Sequence, residues 1–369
     1  MDFELDAAQQ VIATSAADVL ASAHAADDAW PAMAKAGLLA LTLPGWMDGD
    51  ELGVIEASVL LTEVGRAAAS VPALATIMLG SLLVTRWGSR AVQEQVLAGV
   101  GTGETILSAA VRETSTPMPV APAATAALTD EGRAGTVTGT KVGVPYAGEA
   151  RWVLVPATTT SGGRAVVIVD PSAAGVDITR TPVSGDVPEY TVRLDQAPIA
   201  HVLGEGRGEA VDDLYRLAAA GAAATTDGAL AGALDLTSRY VASREQFGKP
   251  LATFQAVAQQ IADVYITSRT MHLAALSACW RLAAGLDAAQ DVDVAAYWLA
   301  HEAPTAARTC HHLHGGIGLD VEYPLHRYSS MINDLARFVG GADYRLELLS
   351  ENRRSDSPIS GFSGSGDVH

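Results

Sequence analysis

Arg244 and Gln255 flank a sharp corner in the stretch Tyr240 to Tyr265, YVASREQFGKPLATFQAVAQQIADVY. The spacing predicts two helices joined at Phe247-Gly248-Lys249-Pro250, because glycine closes a helix and proline cannot continue one. Arg244 is then held one turn before a fixed corner. Gln255 sits at the mouth of the second helix, where Val257, Ile261, Val264 and Tyr265 recur at helical spacing. A cation and an amide at such a corner suit an anionic ligand; the plainer reading is a solvated surface charge beside a helix-start polar residue. A second stretch, His311 to Glu322, HHLHGGIGLDVE, sets a glycine pair after a helical run, where backbone can approach a phosphate or a planar ring closely.

Other residue types offer less. His301, His311, His312, His314 and His326 lack the cysteine or carboxylate partners at defined spacing that zinc sites use. The adjacent His311 and His312 point about 100° apart on a helix, so ligand contact or a satisfied core position is favoured over a metal. No GxSxG or Walker pattern occurs, and GGIG follows a helix where a dinucleotide fingerprint follows a strand. Cys279 and Cys310 both lie in alanine-rich helical sequence, which fits a reduced compartment. The net charge of -18 and the absence of a basic run exclude a nucleic-acid partner. With no apolar run approaching a membrane span and an acidic start, a cytoplasmic location without membrane attachment is expected.

The elements that must position these residues fall into three regions, an α+β organisation. Residues 1–103 read as helical, punctuated at Gly37, Pro44-Gly45, Gly53, Gly65 and Pro72. Residues 104–204 turn rich in threonine, valine, proline and glycine; GTVTGTKVGV, RWVLVPATTT and RAVVIVDPS read as strands of a small β-barrel or sandwich domain. Residues 205–350 are helical again and are expected to form a four-helix bundle, with small residues at helical spacing on the first helix. The polar Ser/Gly-rich segment 351–369 reads as a disordered tail.

RxxFG, then FQ, then a glycine pair about sixty residues on: this order resembles the acyl-CoA dehydrogenase family of flavoproteins. The runs WPAMAKAGLLALTLPG and EASVLLTEVGRAAASVP resemble that family's N-terminal helical domain, and TVTGTKVGVPYAGEARWVLVPA its strand pair beside the flavin. The resemblance implies that Arg244, Phe247, Gln255, Gly315 and Gly316 reach across a subunit boundary to the FAD of a neighbouring chain. A planar guanidinium binds two diphosphate oxygens at once, which lysine cannot reproduce. His312 stands where the family usually has glutamine, and keeps a donor there.

Two departures from the pattern are informative. In place of the threonine-glutamate-proline motif ending in glycine-serine-aspartate, which lines the flavin and substrate, stands SAAVRETSTPMPVAPAATAA, a stretch that reads as an irregular loop. The flavin-ring seat of this chain is therefore expected to be lost. Acyl-CoA dehydrogenation also needs a carboxylate base for the α-proton. The two family positions for it align with Val339 and Tyr215; valine accepts no proton, and a phenol with a pKa near 10 is a poor base at neutral pH. Asp343, Asp212 and Asp213 lie within a turn of these positions but read as solvated or capping carboxylates, and Glu322 matches a position that is not the base.

A member that keeps the clamp but lacks base and ring seat resembles the base-less subunit of heteromeric actinobacterial acyl-CoA dehydrogenases of steroid side-chain breakdown. That resemblance implies an α2β2 heterotetramer in which a base-containing partner acts on an acyl-CoA substrate, with an electron-transfer flavoprotein as acceptor. Two alternatives stay open: a self-sufficient homo-oligomeric flavoenzyme with an unusual base, and a structural subunit that no longer binds FAD.

Overall fold

The computed structural model describes residues 4–23, 26–129, 134–204 and 208–356. The chain opens with α1 (Ala7–Ser22), whose cap is fixed by Asp6: its carboxylate accepts from the Gln9 N–H while the Gln9 side chain accepts from the Asp6 N–H. There follow α2 (Ala26–Lys35), α3 (Val54–Arg66), a π-helical stretch (Leu74–Ser81), α4 (Leu82–Trp87) and α5 (Arg90–Val96).

The strands are β1 (Leu107–Ala109), β2 (Thr125–Thr129), β3 (Ala134–Pro145), β4 (Trp152–Thr159), β5 (Arg164–Val169), β6 (Val176–Thr181), β7 (Glu189–Pro198) and β8 (His201–Leu203). They form one sheet in the order β6-β7-β3-β2-β4-β5-β8. β4 is shared along one edge: Trp152 to Leu154 pair with β1, and Thr158 and Thr159 with β2, both in parallel. Both faces of the β4–β5 pair are buried, which is why these strands are continuous apolar runs. Leu154, Val166 and Ile168 face the helices, whereas Val153, Val155, Val167 and Val169 fill a separate core inside the sheet.

The last region holds α6 (Glu209–Ser243), a two-residue hairpin of β9 (Glu245–Gln246) and β10 (Lys249–Pro250), α7 (Gln255–Ala283), α8 (Ala289–His314), α9 (Leu325–Phe338) and α10 (Gly341–Asp356). In place of four long helices there are three, of 35, 29 and 26 residues, and a bent pair, α9 and α10. The break falls at Gly340 and Gly341, with φ of 100° and 82°, a left-handed backbone that a right-handed helix cannot include. The first corner also differs from expectation. α6 ends at Ser243, before the glycine, and Gly248 serves instead as the second central residue of the hairpin turn. At the far end α10 runs six residues into the segment expected to be a tail, and residues 357–369 lie outside the described residues.

The longest helix, α6, crosses α3 at backbone distance. A Cβ placed on Gly228 would lie 1.8 Å from the Thr62 carbonyl oxygen, and one on Gly65 1.9 Å from that of Thr225. The small residues of α6 thus allow two backbones to touch, and the Thr62 hydroxyl donates across the gap to the Ala224 carbonyl at 3.2 Å. Gly228→Ala is expected to lower stability by about 2 kcal/mol, the overpacking cost exceeding the helix-propensity gain. A urea or thermal midpoint equal to that of the unsubstituted protein would contradict this crossing.

Candidate functional site

One end of the bundle brings together the end of α6, the start of α7 and the end of α8. Arg244 caps α6: its N–H donates to the Tyr240 carbonyl at 2.8 Å, and its carbonyl accepts from the Leu251 N–H at 2.9 Å. The backbone is held on both sides, yet the side chain is exposed and has no carboxylate partner among the described residues. Phe247 and Gly248 form the hairpin turn with φ of 54° and 76°, the two left-handed positions of a type I′ turn. Phenylalanine is strained in that conformation, and its ring is 91% exposed, resting edge-on against Phe254. Gln255 is the exposed first residue of α7, where backbone N–H groups lack helical partners and favour negative charge.

His312, exposed on the last turn of α8, precedes the glycine pair. Gly315 has φ 61° and ψ -138°, accessible to glycine alone, and a Cβ on either Gly315 or Gly316 would meet nothing within 4 Å. The turn is an open cradle. With the Arg244 guanidinium, the Gln255 amide, the His312 imidazole and the backbone N–H groups at the start of α7, the corner offers a donor set that fits a diphosphate such as that of FAD.

What ties this cradle to the Arg244 corner is a ring stack that sequence reading missed. Tyr240 and His314 stack with centroids 4.5 Å apart and planes 18° apart, and the Tyr240 hydroxyl donates to the His314 carbonyl at 3.3 Å. Tyr323 completes the group, its hydroxyl 3.0 Å from His314 Nε2. The available signal was positional: Tyr240 lies one helical turn before Arg244, and His314 directly precedes Gly315.

The two aligned base positions lie elsewhere, and both are closed. Val339 is fully buried at the end of α9, and its carbonyl accepts from Arg345 Nε at 2.7 Å. Arg345 is itself buried; it reaches Asp293 at 3.4 Å and the Met118 sulfur at 3.1 Å. A Cβ on Gly340 would lie 2.4 Å from Pro117 Cγ. The loop that replaces the flavin-lining motif therefore packs directly against the segment that would present a base. Tyr215 carries a buried hydroxyl without a partner. Burial, and then the negative Glu113, push its phenol far above the usual range, the wrong direction for a base.

The remaining acids are engaged or remote. Asp212 forms a two-pronged pair with Arg164 at 2.7 and 3.0 Å; Asp213 binds Arg86 at 2.9 Å and the Trp87 indole N–H at 2.8 Å. Asp343 is exposed in the first turn of α10, and Glu322 is exposed beyond the glycine turn. A buried pair that sequence reading also passed over lies beneath the replaced motif: Lys141 Nζ donates to Glu113 at 2.6 Å, with the Ala123 and Ala124 N–H groups on the same carboxylate. Next to it Arg112 stands over Gly143 beside Glu189, which Arg337 holds by two bonds of 2.8 Å. These charged side chains lie in and beside the stretch that stands in place of the motif.

Among the described residues no group of three or more histidine, cysteine or acidic side chains is placed to hold a metal, and no helix is long and apolar enough to cross a membrane. Family models match over residues 5–104, the acyl-CoA dehydrogenase N-terminal domain, and 213–349, the C-terminal domain. The acyl-CoA dehydrogenase FadE28 of Mycobacterium tuberculosis is 46% identical over 351 residues, 95% of this chain and 98% of the relative. The chain belongs to the acyl-CoA dehydrogenase family.

Two solved structures extend the comparison. The ChsE4-ChsE5 complex from Mycobacterium tuberculosis matches with TM-score 0.88 and 30% identity over 97% of this chain and all of the matched chain. A steroid acyl-CoA dehydrogenase, Tcur3481-Tcur3483, matches with TM-score 0.88 and 30% identity over 94% of this chain and 98% of that chain. The family is one of flavoprotein oxidoreductases. Burial alone raises the Glu113 pKa, but Lys141 and the two N–H groups outweigh it and hold the carboxyl below its usual range. The stability this contributes is complete above the ordinary glutamate pKa and lost as pH falls through the depressed one. Lys141→Met is expected to cost about 3–5 kcal/mol at pH 7 by leaving Glu113 charged and unpaired, and less at pH 4, where the carboxyl can take a proton. Urea unfolding at the two pH values measures both.

Proposed function

We propose that this chain is the base-less subunit of a heteromeric FAD-dependent acyl-CoA dehydrogenase that introduces an α,β double bond into an acyl-CoA thioester. The partner subunit supplies the carboxylate base, the flavin-ring seat and the thioester pocket. This chain supplies Arg244, Phe247, Gln255, His312, Gly315 and Gly316 to the diphosphate side of the partner's FAD. The observation that carries the reading is the position of the clamp relative to the closed centre along α6. Tyr215 lies near the start of α6 and Arg244 at its end, roughly 40 Å apart at 1.5 Å per residue. A clamp at one end cannot serve a reaction centre at the other end of the same chain.

When bound, FAD provides the hydride acceptor for the β-carbon. Arg244 would neutralise the charge of the diphosphate, and Gln255, His312 and the open glycine turn would help to hold it. Phe247 offers an apolar ring to the partner's surface at the same corner. The names of the ChsE4-ChsE5 complex and of the steroid acyl-CoA dehydrogenase support a two-subunit assembly and a bulky steroid side-chain CoA ester as substrate. An α2β2 heterotetramer in the cytoplasm, with an electron-transfer flavoprotein as acceptor, is the arrangement this reading calls for.

The chain purified alone is expected to be colourless and inactive, and to gain flavin absorbance and dehydrogenase activity only when co-expressed with a base-containing family member. Arg244→Ala should lower flavin occupancy of that complex by about tenfold, from the loss of a charge-assisted pair. A yellow, active homo-oligomer of this chain alone would refute the assignment, as would full flavin occupancy in the arginine variant.

A further inference from the structure

We propose that His314 is a positioning residue of the FAD clamp: as a neutral imidazole it locks the glycine turn at the end of α8 to the Arg244 corner of α6. The inference rests on the clamp reading and deepens it by naming the group that keeps the two halves in register.

The bonding of the ring defines its state. His314 is 3% exposed. Its Nδ1 lies 2.8 Å from the Cys310 carbonyl, an acceptor only, so Nδ1 carries the proton. Nε2 then has a lone pair for the Tyr323 hydroxyl at 3.0 Å. Both nitrogens are used, and together they select one neutral tautomer. The ring face is covered by Tyr240, whose carbonyl accepts from the Arg244 N–H and whose hydroxyl donates to the His314 carbonyl. From Arg244 through Tyr240 and His314 to Gly315 there is an unbroken series of contacts. Tyr323 braces the far side, its own carbonyl accepting from His326 Nδ1 at 2.8 Å.

A second proton on His314 would turn Nε2 into a donor, so that the Tyr323 hydroxyl would have to rotate and accept, and would bury a charge in the ring stack. The groups facing the ring are Tyr240 from α6, Tyr323 from the turn before α9, and Cys310 and His311 on its own helix; His326 on α9 and Arg239 on α6 lie behind Tyr323. None is a carboxylate that would favour the charged ring. Burial lowers the His314 pKa, with the Cys310 carbonyl opposing and His311 adding to the fall. The lock is therefore intact above the ordinary histidine pKa and is lost as pH drops through the lowered value.

The test uses the complex with its base-containing partner and reads the FAD dissociation constant by absorbance and fluorescence from pH 5 to 8. His314→Ala should weaken FAD about tenfold at pH 7, as expected for two lost hydrogen bonds. His314→Gln keeps a donor for Cys310 and an acceptor for Tyr323 without a titrating ring. It should stay within about threefold of the unsubstituted complex and bind FAD with less loss below pH 6, while any contribution of His311 persists in both. A glutamine variant with an unchanged pH profile overturns the proposal, as does full FAD retention in His314→Ala while Arg244→Ala loses it. Should Arg244→Ala itself retain FAD, the clamp reading falls and this inference with it. If the alanine variant fails to assemble, the glutamine pH profile decides alone.

Discussion

Everything functional in this chain is referred to one constraint, the close crossing of α6 on α3. Gly228 and Gly65 let the two backbones approach within the space of a single methyl group, and the small residues between them extend that contact. Such packing opposes sliding of this 35-residue helix along α3. The ends of α6 are consequently fixed points, with Tyr215 near one and Arg244 at the other. Neither the closed centre nor the clamp could be placed reliably on a helix that slipped by a residue.

The surroundings of Val339 are packed and charge-paired. A vacated flavin-lining motif would leave buried polar backbone and a void, both destabilising. Here Pro117 packs on Gly340, Met118 meets Arg345, and the charges are matched in pairs: Lys141 with Glu113, Arg337 with Glu189, Arg345 with Asp293. Buried ion pairs contribute little net stability, but removing one partner is costly. A small imperfection remains, since the Arg112 Nε and the Tyr215 hydroxyl are buried without partners.

The clamp has the opposite character. Its side chains are exposed, and Phe247 holds a strained backbone with its ring in solvent. Exposure of a rigidly backed arginine, an aromatic ring and a glycine cradle at one corner is the signature of a surface awaiting a neighbour. One chain thus combines a buried, charge-paired interior around Val339 with an exposed corner at Arg244.

The amino-acid sequence by itself determined the family, the helical, strand and helical order of regions, and the positions of Arg244, Gln255 and the glycine pair, because turn residues and apolar periodicity are local signals. It also showed that position 339 is a valine, which accepts no proton whatever the fold. Tertiary structure alone decided the rest. That α6 stops at Ser243, with Gly248 in a hairpin turn, depends on pairing between β9 and β10. That the last bundle helix breaks into α9 and α10 depends on left-handed Gly340 and Gly341, and glycine content does not reveal φ. Tyr240, His314 and Tyr323 are 74 and 9 residues apart along the chain and become one unit only when α6 and α8 pack. Glu113 and Lys141 look like ordinary surface charges until the sheet buries them together. Contacts between distant residues are the part of the physics that local pattern cannot encode.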